Sequence, residues 1–149
     1  MKISLNGLLR SKRTQSAKGR LPDDLQDDIL VLARFLDSIP CIEVLGGKRV
    51  EGDWWWVKFR IDPASRLSWY VVMELGHILN YFALNDPLPT VFKPVAPPPQ
   101  GNDAGLDDCA WVIECFKPEF SPIECATVLR QFGPSPASSV SAWEQFRRD

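Results

Sequence analysis

Histidine is nearly absent from this chain: His77 is the only one among 149 residues. Chemistry that needs two imidazoles, as most histidine metal sites and relays do, is therefore excluded. Cysteine is scarce as well. Cys41, Cys109, Cys115 and Cys125 are too few to staple a chain of this length, and they lack the paired CxxC spacing of a zinc site. Without an export signal they read as reduced thiols. No apolar run approaches the ~18 residues that span a bilayer, and the opening Met1–Arg10 is too briefly apolar to serve as a secretory leader, so a cytoplasmic location without membrane attachment is expected. The GxSxG elbow, the GxxxxGK[ST] phosphate loop, HExxH and GxGxxG are all missing. The expected protein is a non-enzyme with no catalytic, cofactor-binding or metal residues.

What is present begins with a lopsided charge distribution. Residues 1–20 carry six bases and no acid, whereas the rest of the chain holds 11 bases against 19 acids, a charge of −8. A basic arm suits an anionic partner, but an acidic body repels phosphate backbones and attracts basic proteins. With 45% apolar residues the chain can bury a core. The expected organisation is a basic arm at 1–20, one domain at 21–133 and a C-terminal tail at 134–149, where 136–141 reads as flexible and Trp143 and Phe146 as anchors.

Leu21-Pro22-Asp23-Asp24 opens an amphipathic helix with Leu25, Ile29, Leu32, Phe35 and Leu36 on one face, ended by Pro40. Cys41–Leu45 reads as a strand, Gly46-Gly47 as a turn and Trp54–Asp62 as the second strand of a hairpin. In that strand Trp55, Val57, Phe59 and Ile61 share one face, and Trp54, Trp56, Lys58, Arg60 and Asp62 share the other. The run from Leu67 to Phe82 is apolar nearly all round, which predicts a central helix with little exposed surface, a buried His77, and a close neighbour at Gly76. Two short strands follow, Thr90–Val95 and Ala110–Phe116. Ser121-Pro122-Ile123-Glu124 is a capping box with proline at the first helical position, starting a helix that runs to about Phe132. The order αββαββα, with strands in adjacent pairs, predicts an α+β fold: a mostly antiparallel four-stranded sheet with helices packed on it.

Few side chains suggest chemistry. Glu74 and His77 make one Glu-x-x-His pair where a di-iron bundle needs two. Asp23, Asp24, Asp27 and Asp28, and the Asp103, Asp107 and Asp108 group, lack calcium-loop spacing and read as acidic surface. The aromatic face of Trp54 and Trp56 has three readings: burial under a helix, a protein interface, or a surface on which nucleobases stack.

One resemblance adds to this. Trp56-Val57-Lys58-Phe59-Arg60-Ile61-Asp62, the run from Met73 to Tyr81, Leu88 to Pro99, and Ala110-Trp111-Val112-Ile113-Glu114-Cys115 with its capped helix are similar to segments of immunity proteins from bacterial polymorphic toxin systems of the Rhs and type VI secretion class. The similarity spans residues 50–132 and contains no catalytic signature. It implies a protein that binds one cognate, cytosol-acting toxin and blocks its active site. Candidate toxin contacts are then Asp23, Asp24, Asp27, Asp28, Trp54, Asp103, Asp107 and Asp108. The alternative expectation is a nucleic-acid-binding adaptor that uses the basic arm and the Trp54/Trp56 face.

Overall fold

The computed structural model describes residues 21–50, 54–81, 87–95 and 109–132. The basic arm, the loop with Asp103, Asp107 and Asp108, and the tail from 134 lie outside the described residues. The elements are α1 (Asp27–Asp37), β1 (Ile42–Arg49), β2 (Trp55–Ile61), α2 (Ser68–Gly76) continuing into a π-helical segment (His77–Tyr81), β3 (Thr90–Val95), β4 (Ala110–Cys115) and α3 (Pro122–Phe132). Among the described residues, three α-helices and one antiparallel sheet in the order αββαββα make an α+β fold.

The sheet order is β1-β2-β4-β3, so β2 pairs with β4 rather than with the next strand in sequence. All three ladders are antiparallel. Because side chains alternate along a strand and cross-strand partners share a face, the register divides the sheet cleanly. Trp55, Val57, Phe59 and Ile61 join Ile113 and Cys115 of β4, Phe92 of β3 and Ile42 and Val44 of β1 on the inner face. The helices meet this face: Ile29, Leu32, Ala33 and Leu36 recur at helical spacing on α1 and are buried with it in one cluster, as are Leu67, Val71, Leu75, Ile78 and Leu79 from the second helical unit and Cys125, Ala126 and Leu129 from α3. Phe92 stacks between Phe59 and Trp111, at ring-centroid separations of 6.1 and 4.9 Å.

Local signals explain several boundaries. The capping box forms in full: the Glu124 N–H donates to Ser121 Oγ at 3.1 Å, and the Ser121 N–H donates to Glu124 Oε2 at 3.2 Å. Helix α1 starts later than its acidic opening suggests, at Asp27, leaving Asp23 and Asp24 in the preceding turn.

Three expectations are corrected. Gly46-Gly47 is not the hairpin turn: β1 runs through it to Arg49, with a register shift between Val44 and Gly46 that absorbs one extra residue. The central helix is not covered all round. Trp69 is 66% and Met73 48% exposed, and His77 is also exposed, because the buried stripe of this helical unit runs through Leu67, Val71, Leu75, Ile78 and Leu79. Gly76 is not closely crowded either, since a Cβ there would meet only Phe92 Cδ1 at 3.8 Å.

Strand β3 forms one edge, and its outer side is closed by a side chain. Asn80 Nδ2 donates to the Phe92 carbonyl at 3.0 Å while the Phe92 N–H donates to Asn80 Oδ1 at 2.8 Å. One amide thus replaces one rung of a neighbouring strand. Pro94 shares the outward orientation of Phe92, so its missing N–H removes no rung from the sheet. Thr90 Oγ1 donates to the Leu79 carbonyl at 2.8 Å and fixes the π-helical segment to the start of the strand. Asn80→Ala is expected to cost about 1–2 kcal/mol and to open this edge to self-association. Urea denaturation and concentration-dependent light scattering check this; a loss under about 0.5 kcal/mol with no change in scattering would show that the amide does not guard the edge.

Candidate functional site

One end of the molecule gathers the N-termini of α1 and α3, the end of β1, and the start of β2 beside the end of β4. The link between α1 and the sheet is polar. The Arg49 guanidinium pairs with the Asp28 carboxylate, and the Arg49 N–H donates to Gln26 Oε1 at 2.6 Å. One residue on, the Val50 N–H donates to the Trp54 carbonyl at 2.8 Å. Trp54 then stacks on Phe116 with centroids 6.1 Å apart and planes inclined by 25°. Behind this pair, the buried Trp55 indole donates to the Phe120 carbonyl at 2.7 Å, joining β2 to the loop that leads into α3.

Five of the eight expected contact residues therefore share this end. Asp23, Asp24 and Asp27 are exposed, and none has an ion-pair partner among the described residues. Asp27 and Asp28 sit in the first turn of α1, where a carboxylate is favoured by the helix dipole. Asp28 is committed to Arg49, so it serves the fold more than a surface. Trp54 is half-buried. Asp103, Asp107 and Asp108 are outside the described residues. Phe116, 62% exposed, belongs to the site and was missed. The signal existed: in the alternation of β4, Phe116 follows the inward Cys115 and must face outward.

The Trp54/Trp56 face is the second feature. The register places Lys48, Trp56, Glu114 and Val91 in one row across the outer side of the sheet, and Gly46, Lys58, Val112 and Lys93 in the next. Arg60 lies opposite Glu43. No helix among the described residues packs here, so the reading of these tryptophans as covered by a helix fails for the described part of the chain. With Asp62 at the end of the same face, four cations stand against three acids, of which two are engaged: Glu114 with Lys93 at 3.0 Å and Glu43 with Arg60 at 3.9 Å. Over all described residues, 11 acids face 9 bases. The acidity is thus local: it is strongest where α1 starts, and the open sheet face is basic.

Cys41, Cys115 and Cys125 are buried. Burial pushes the Cys125 thiol far above its usual range, with the Cys115 sulfur adding to the effect, and Cys115 is also raised by burial. Both are poor nucleophiles. Burial also raises Glu74, opposed in part by the His77 charge, and this pair lies on α2 and the π-helical segment, away from the three buried thiols. His77 is exposed, against the expectation that it is buried. No group of three or more His, Cys, Asp or Glu side chains that could hold a metal ion occurs among the described residues. No described helix is long and apolar enough to cross a membrane. Comparison with protein-family models, with curated proteins and with solved structures finds no match for the chain.

Proposed function

We propose that this chain is a non-enzymatic binding protein of the immunity type, which occupies the active site of a cognate toxin domain in the cytoplasm. The observation that carries the reading is the occurrence, at one end of the fold, of three exposed carboxylates without an ion-pair partner among the described residues (Asp23, Asp24 and Asp27) together with the stacked Trp54 and Phe116 rings. Each half has a separate task. Carboxylates speed the encounter with a basic partner and impose orientation, and they are felt mainly in the association rate. Aromatic rings that lose water on contact supply anchoring energy, felt mainly in dissociation. Two helix starts, the Asp28–Arg49 pair and the Trp55 bond hold the surface rigid before binding, which limits the entropy lost on association.

The test is co-expression with the toxin domain encoded beside this chain's gene. Restored growth and a complex that survives purification are expected. In the purified pair, the triple variant Asp23→Lys, Asp24→Lys, Asp27→Lys should slow association at least tenfold at low salt, and Trp54→Ala should speed dissociation about tenfold or more. Absence of both rescue and complex would sink the proposal. A complex indifferent to all four substitutions would move the interface elsewhere.

A further inference from the structure

We infer that the outer face of the sheet, on which no described helix packs, is a binding surface for single-stranded nucleic acid. This surface shares Trp54 and Phe116 with the proposed toxin-blocking end, and Trp56, Lys48 and Lys58 are the residues that belong to it alone. The argument starts from what the register puts together. Trp54 and Trp56 alternate on one strand and therefore project from the same face about two residue rises apart, ~7 Å. An extended single strand can present successive bases at such a spacing. Lys48 is directly opposite Trp56 on β1, and Lys58 is the next residue on that face of β2. Neither lysine has an acidic partner among the described residues, whereas Arg60 and Lys93 are each paired with a glutamate. Two ammonium groups without an acidic partner among the described residues thus lie beside Trp56, and a second ring, Trp54, is steadied by Phe116 at 6.1 Å.

An apolar partner surface would leave Lys48 and Lys58 without counter-charge, at a desolvation cost. A simple acidic polypeptide would satisfy the lysines and make no use of the ring faces. A flexible polyanion with flat aromatic groups uses both at once: phosphates at Lys48 and Lys58, bases on Trp54 and Trp56. A duplex hides its bases inside its own stack, so the preference is for the single strand.

The experiment uses the full chain and a short fluorescein-labelled oligothymidylate, followed by anisotropy at low salt, with quenching of the protein's tryptophan emission as a second readout. Binding with quenching is expected. Trp56→Ala should weaken it about tenfold or more. The double variant Lys48→Ala, Lys58→Ala should lower the slope of log K against log salt by about 1.4, from ~0.7 per phosphate contact on a single strand. Both substitutions are on the outer face, and circular dichroism confirms that each variant is folded. Four results would overturn the inference: no binding at low salt, binding unchanged in folded variants, equal affinity for the corresponding duplex, or equal displacement by polyglutamate.

Discussion

Replacing Trp55 by alanine is expected to cost this domain about 3–5 kcal/mol, the usual range for emptying a buried tryptophan site. The side chain has no exposed surface, and it sits in the cluster shared by the sheet and the helices. Its indole N–H also satisfies the Phe120 carbonyl at 2.7 Å, so truncation removes both packing and a long-range polar tie. Trp55→Phe separates these contributions: it keeps much of the ring volume and loses the donor, and should cost about 1–2 kcal/mol. Since a domain of this size is stable by roughly 5–15 kcal/mol, the alanine variant stands near the limit of folding. Urea midpoints at unchanged slope are the measurement. A shift worth less than about 1 kcal/mol for Trp55→Ala would mean that β2 does not form the centre of the core.

Gly47→Ala should be the most damaging addition of a single methyl group, at about 1–3 kcal/mol. A Cβ at this position would stand 2.8 Å from Ile29 Cγ2, 2.9 Å from the Trp56 carbonyl oxygen and 3.3 Å from Val57 Cγ2. The isoleucine tip could turn aside. The carbonyl belongs to the paired strand and cannot retreat without disturbing the β1–β2 ladder, in which Gly47 lies opposite Val57. Its neighbour is the control: a Cβ on Gly46 meets nothing within 4 Å, so Gly46→Ala should stay within about 0.5 kcal/mol of the parent. Thermal and urea unfolding of the two variants side by side give the difference. Equal effects would refute the close approach of α1 to β1.

The same glycines show what a sequence can and cannot reveal. Gly46-Gly47 has the composition of a turn, and its inclusion in β1 comes from Ile29 and Trp56 approaching from far along the chain, which no local pattern records. Signals that depend on neighbours were legible. The Ser121–Glu124 box closed as its spacing requires, and the alternation from Trp55 to Ile61 set the buried face of β2. The four-stranded antiparallel sheet followed from paired strands, but the insertion of β4 between β2 and β3 depends on which surfaces bury best together. On α2 the apolar residues exceed what one buried stripe needs, so periodicity could not say that Trp69 and Met73 would face outward. At the candidate site, the acidic start of α1 and the outward Trp54 were visible in sequence. The outward direction of Phe116 was legible in the alternation of β4, but its stacking on Trp54 was not, nor was the role of Arg49, because both arise only when the hairpin and β4 bring these residues beside Trp54 and Asp28.

The unequal placement of charge has a consequence for how this molecule meets anything charged. With 11 acids and 9 bases among the described residues, the overall pull on a distant ion is weak. Within the described residues the start of α1 is negative and the outer sheet face carries more bases than acids, a polarity by which a charged body drawing near turns this part of the molecule before drawing it in. Such alignment fades once separation exceeds the screening distance, about 10 Å at 0.1 M salt. Ionic strength should therefore govern which way round the molecule arrives more than how often it collides.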